Sequence, residues 1–135
     1  MDVSVFVHPI RVKPTDIDAM DHVNNVVYLQ WVQDAAAAHW QAQASAELQQ
    51  QYNWVVLRHE IDYQRPAFLN DHLEARTWVQ SYAGVRSVRV VQIVRVHDQQ
   101  VLAEAHTTWC LVTAATGRPA RINEAIIQVF KPAEG

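Results

Sequence analysis

The chain has 135 residues, half of them apolar and 19% charged, with a net charge of −3, three glycines, five prolines and one cysteine. That length suits about one domain, here taken as residues 1–135, with a core that needs no disulfide or metal staple, and its composition excludes a disordered or fibrous chain. The acidic balance excludes the basic footprint of a nucleic-acid binder, and no apolar run approaches the roughly 20 residues of a membrane span. No signal-peptide layout follows Met1, and Cys110 has no partner for an internal disulfide, so a reducing, cytoplasmic setting is expected.

The first element in chain order is a strand over Val3 to Lys13, with Val3, Val5 and Val7 on one face. Pro14 and the run Thr15-Asp16-Ile17-Asp18 interrupt it. From Val23 to Gln50 nothing breaks a helix. One apolar row runs Val23, Val27, Trp31, Ala35, Ala38 and a second Val26, Leu29, Val32, Ala36, so the first half is apolar nearly all round and asks to be wrapped. The Gln/Ala-rich stretch 41–51 reads as its solvated end, for a length of about 40 Å. The period then changes to two. Val55, Leu57, His59, Ile61 and Tyr63 alternate with Val56, Arg58, Glu60 and Asp62, and a loop follows around Pro66, Asn70 and Asp71. Leu73 to Val79, Ser87 to Val96 and Val101 to Thr113 are three further strands, joined by turns at Tyr82-Ala83-Gly84 and His97 to Gln100. A short helix, Ile122 to Phe130, closes the chain with Asn123 as its cap. Strand, long helix and four-strand meander predict an α+β architecture, an antiparallel sheet curled round one helix. Val90, Val94 and Val96 on one face of a strand, and Val91 and Ile93 on the other, predict a subunit interface and at least a dimer.

Chemistry concentrates in residues 15–28. Asp16, Asp18, Asp21 and His22 crowd the start of an apolar helix, followed by Asn24 and Asn25. Asp and Asn belong at helix starts for capping alone. The same place offers unpaired N–H groups and the positive end of the dipole, which can hold an oxyanion beside a carboxylate base or nucleophile. The residues by themselves leave both readings open. Elsewhere, His8, His39, His72, His97 and His106 are scattered without metal-ligand spacing, so no metal and no cofactor are expected. Ser45, Ser81 and Ser87 lack nucleophile-elbow glycines, and no glycine-rich phosphate loop is present. Cys110 reads as a buried small side chain and His59 as a hydrogen-bonded core or interface residue.

The pattern Asp16-Ile17-Asp18, then His22-Val23-Asn24-Asn25, then Tyr28 and Trp31 resembles the signature of hotdog-fold thioesterases, the 4-hydroxybenzoyl-CoA thioesterase-like family. Ile61-Asp62-Tyr63-Gln64-Arg65-Pro66 with Asp71, then Trp109 and Thr116-Gly117-Arg118-Pro119-Ala120-Arg121-Ile122, extend the likeness over most of the chain. The resemblance implies hydrolysis of an acyl thioester on CoA or on acyl carrier protein, and the subunit interface expected from the strands makes the chain a homodimer or homotetramer. It places the catalytic aspartate on Asp18, the carbonyl-polarising N–H on Asn25, and an assisting or orienting role on His22. Asp16 becomes a supporting acid and Glu60 a reserve one. Two departures stand out: plant acyl-carrier-protein thioesterases have asparagine where this chain has Met20, and many relatives have glycine where it has Asp21. Substrate contacts are expected from Tyr28 and Trp31 along an acyl channel, and from Arg86 and Arg89 on a basic rim for CoA phosphates. A non-catalytic acyl-binding protein is the alternative from another class.

Overall fold

A computed structural model describes residues 5–132. Its strands are β1 (Phe6–Arg11), β2 (Tyr52–Tyr63), β3 (His72–Ala83), β4 (Arg86–Arg95) and β5 (Gln100–Thr113). All pair antiparallel in the order β1-β3-β4-β5-β2. The helices are α1 (Asn25–Gln43), α2 (Ala46–Gln51) and α3 (Glu124–Val129). Part of the expected first strand, Val3 included, lies outside the described residues. Tight connections hold the meander in register: Gly84, at φ 64°, opens the two-residue turn between β3 and β4, a conformation that costs glycine nothing.

Helix α1 lies against one face of the sheet. Its buried side chains are Tyr28, Trp31, Val32, Ala35, Ala36 and His39. The first four join Leu73, Ala75, Val91, Ile93, Leu102 and Ala105 in the main core. The predicted continuous helix is two helices. Ala44 is extended, and the hydroxyl of Ser45 accepts from the N–H of Leu48 (3.1 Å) to cap α2. A serine offering its own acceptor makes a new N-terminus cheap, and the break turns the chain into β2. Nor is α1 wrapped all round in a single chain: Val26 is 63% exposed, and Gln30, Gln33 and Asp34 continue an open face.

Without a partner, Val91 and Ile93 on one face of β4 and Val90 and Val94 on the other are already buried, while Val96, just past the strand, is 38% exposed. Val91 and Ile93 face α1. Val90 lies between Trp78 of β3 and His106 of β5 in the register, large side chains that shelter it on the other face. Among the described residues both edges of the sheet stay open: β1 pairs only with β3, and β2 pairs only with β5 and exposes Val55 (47%) and Leu57 (48%). At the C-terminus Asn123 caps α3 through its side chain, which accepts from Ile126 N (3.0 Å), as expected.

Candidate active site

Residues 17–23 form a small closed loop. Ile17 and Val23 make an isolated antiparallel bridge. Inside it, Asp18 N donates to His22 O (2.8 Å) and Asp21 N to Asp18 O (3.1 Å). The Asp18 side chain fills the middle: its Oδ1 accepts from Met20 N (2.9 Å) and His22 N (3.3 Å). Oδ2 has no hydrogen-bond donor among the described residues. Asp21 sits at φ 62°, in the left-handed region. The turn wants glycine there, and aspartate is among the few other residues that tolerate it, so the departure at this position preserves the geometry. Asp16 is committed elsewhere, with Oδ2 accepting from Lys13 N (2.8 Å) and its carbonyl from Asn24 N (2.8 Å).

The loop delivers the chain into α1. Asn24 caps it, its Oδ1 accepting from Val26 N (3.3 Å). Asn25 is the first helical residue, and among the described residues no backbone carbonyl accepts from its N–H. That donor therefore stands at the positive end of a 19-residue helix. Asp18, His22 and Asn25 are thus gathered on one loop–helix junction. Three groups that the sequence reading passed over lock it in place. The hydroxyl of Tyr63, at the end of β2, donates to the Asn25 carbonyl (3.1 Å). Ala67 accepts from Val23 N (2.9 Å) and donates its own N–H to the Tyr28 hydroxyl (3.1 Å). Phe68 meets the His22 ring edge to face at 5.3 Å. The signal for Tyr63 was its place on the inward parity of β2, shared with His59 and Ile61.

The substrate-contact expectations fare unevenly. Tyr28 is 2% exposed, with its ring against Trp31 and Tyr63, and burial raises its phenol pKa. It lines none of the three cavities described below, so its place is the core. Trp31 is buried but borders a groove of about 460 Å³ with Ile10, Val26 and Val27. Arg86 is exposed at the start of β4. Arg89 is corrected: it is 4% exposed and no part of a basic rim. Its parity on β4 is that of Val91 and Ile93, which turns it toward α1. There its Nη1 donates to His39 Nδ1 (2.9 Å) and Thr77 Oγ1 (3.0 Å), and the guanidinium lies 4.8 Å from the Phe130 ring centroid. Burial lowers the Arg89 pKa to about 10, which leaves it charged at neutral pH. Burial, and then the Arg89 charge, lower the His39 pKa to about 3, so that ring is neutral. His59 is held as expected: Gln33 Nε2 donates to its Nε2 (3.3 Å), making Nδ1 the donor to Thr107 Oγ1 (2.8 Å).

A cavity of about 420 Å³ runs along the flank of α1, walled by Trp40, Trp54, Trp109, Phe130, Ser87 and Arg89. A larger groove of about 890 Å³ lies between Arg11, Lys13 and His72. Neither Asp18 nor Asn25 borders these or the groove beside Trp31.

A family model described as the thioesterase-like superfamily matches residues 12–130. The chain belongs to that superfamily. It is 26% identical over 134 residues to the acyl-CoA thioester hydrolase YbgC of Escherichia coli O6:H1, spanning 97% of this chain and 99% of that one. It is 28% identical over 109 residues to the long-chain acyl-CoA thioesterase FadM of Escherichia coli K12, spanning 79% of this chain and 83% of FadM. Among solved structures, a thioesterase-superfamily protein from Jannaschia sp. CCS1 superposes with a TM-score of 0.87 at 19% identity, over 97% of this chain and 94% of that one. A thioesterase from Thermus thermophilus, complexed with coenzyme A and Zn, gives 0.80 at 24% identity, over 93% and 96%. The curled five-stranded sheet carrying α1 is the hotdog fold that the resemblance implied.

Proposed function

We propose that this chain hydrolyses acyl-CoA thioesters to the free acid and CoA. The observation that carries the reading is kinship over nearly its full length with a protein named as an acyl-CoA thioester hydrolase. The geometry of residues 18–25 supports it. Asp18 offers one carboxylate oxygen tied to the loop backbone and a second that is free to attack the thioester carbonyl or to take a proton from water. The Asn25 N–H, at the head of α1, would receive the charge that develops on the carbonyl oxygen. His22 orients the loop through its backbone bonds to Asp18, and Tyr63 fixes the carbonyl of Asn25. Water supplies the oxygen of the new acid, and the proton goes to the CoA thiolate.

The working form in this proposal is a homodimer or homotetramer. The long unpaired edge of β2 ends at Tyr63, beside the helix start, and in one chain neither Asp18 nor Asn25 borders any of the three cavities. A second copy added to β2 would bring its own α1 and cavity toward that junction. We place the reaction in the cytoplasm, where a lone buried Cys110 suits a reducing solvent. Thiol release from a panel of short, long and aromatic acyl-CoAs tests the assignment, with the same acyl groups on acyl carrier protein as a second arm. Release from at least one CoA ester is expected. Tight retention of esters without any thiol release would leave a non-catalytic acyl-binding protein and end the enzyme reading.

A further inference from the structure

The wall of the cavity along α1 is unbalanced. It contains a cation, Arg89, that is 4% exposed, and among the described residues no carboxylate pairs with it. Its two side-chain hydrogen bonds go from Nη1 to neutral acceptors, His39 and Thr77. Nε and Nη2 have no acceptor, yet are not among the sealed polar atoms. Among the described residues, the side-chain polar atoms sealed without a partner are Trp54 Nε1 and Trp109 Nε1; both rings border the cavity, but these N–H groups do not open into it. Asp34 also borders the cavity, but it is exposed and engaged by Gln30 (2.8 Å), and it forms no ion pair with Arg89. Trp40, Phe130, Ala36 and Ala37 supply apolar wall, and Gln30, Gln33, Asn53 and Ser87 are neutral polar residues on the same lining. The space thus follows about 15 Å of α1, from Gln30 to Trp40, and sets aromatic walls beside the Nε and Nη2 donors of Arg89, which no protein acceptor satisfies. Buried donors of this kind ask for an acceptor, and a planar guanidinium fork matches a carboxylate best.

We infer that this cavity binds an apolar chain ending in a carboxylate, with the carboxylate on the Arg89 guanidinium and the chain between Trp40, Trp54, Trp109 and Phe130. A phosphate is disfavoured because it would bring a second charge between apolar walls that hold one cation. On the thioesterase reading proposed above, and resting on it, the occupant is the far end of an ω-carboxyacyl group.

Calorimetric titration of the purified protein with decanoate and with decanol tests the pocket without using activity. Decanoate is expected to bind about tenfold more tightly, the effect of one charge-assisted hydrogen-bonded contact. The preference should vanish in Arg89→Met and in Arg89→Gln, which keeps a polar donor and loses the charge. Ala37→Trp, at an exposed part of the wall, should block both ligands. Equal binding of decanoate and decanol to the wild-type chain overturns the inference. If Arg89→Met does not fold, an undiminished preference in Arg89→Gln overturns it instead. Hydrolysis of sebacoyl-CoA against decanoyl-CoA keeps the two claims apart. If neither these two esters nor any of the acyl-CoA panel is cleaved while the decanoate preference stands, the thioesterase reading falls and the carboxylate pocket survives. If both are cleaved while decanoate and decanol bind alike, the carboxylate pocket falls and the thioesterase reading survives.

Discussion

The two ends of α1 handle polar groups in opposite ways. At its first turn the chemistry is local: Asp18, His22, Asn24 and Asn25 lie within eight residues, bond mostly to one another's backbone, and remain open or half-buried. Toward its last turns the chemistry is assembled from afar. His39 of α1, Arg89 of β4 and Thr77 of β3 meet in a buried cluster beside the cavity, with Phe6 stacked on His39 at 4.7 Å and Phe130 against it at 4.2 Å. A local site can be read as a motif, because its spacing along the chain is its geometry. A buried one exists only after the strands have set their register. The first is arranged to meet a substrate in water; the second holds a charge that folding has removed from water.

The contrast can be broken first at the open end. Asp18→Asn keeps an acceptor for the N–H groups of Met20 and His22 but loses the carboxylate, so turnover of a good acyl-CoA should fall by about 100-fold or more while the melting temperature barely moves. Equal losses of activity and stability would make Asp18 a structural residue like Asp16. At the buried end the expected effect is on stability and pH. The His39 pKa lies at about 3 in the folded chain and near 6.5 in the unfolded one. Below pH 6.5 the unfolded state therefore binds more protons, and stability drops as acid is added, by about 2 kcal/mol at pH 5. His39→Gln retains an acceptor for Arg89 and should flatten that slope in thermal melts between pH 5 and 7.

A smaller effect is expected where the sheet touches the open end. Tyr63→Phe removes the one bond from β2 to the Asn25 carbonyl and should cost about 1 kcal/mol in denaturant unfolding, with a few-fold loss in kcat. The smallest concerns the turn. Asp21→Gly should leave stability unchanged or raise it by up to about 1 kcal/mol, whereas Asp21→Val, forced to φ 62°, should lose about 2 kcal/mol.

The order of elements, the meander and the Asn123 cap were legible because each rests on short-range periodicity or capping. The second helix break was not: Ala, Gln, Glu and Leu around Ser45 all favour helix, and the residue that ends α1 reveals itself only by capping α2. The apolar pattern of β4 is plain in the sequence, but what covers it is not. Trp78 and His106 shelter Val90 from neighbouring strands, and no sequence period records who lies beside whom. Arg89 carries a usable signal in its shared parity with Val91 and Ile93. Arginine is ordinarily a surface residue, and burial of a cation among neutral partners runs against the usual cost of desolvation. Tyr63 shows only its inward parity in the sequence, and Ala67 lies in the connection after β2, so what each one touches at the open site is set by the fold.

The bridge between Ile17 and Val23 has a consequence in time as well as in shape. With the amides of Asp18, Met20, Asp21 and His22 all engaged inside it, the loop opens as a unit or not at all. Its amide protons should exchange with solvent together, at one rate, and a single opening event would uncouple the Asp18 carboxylate from the head of the helix.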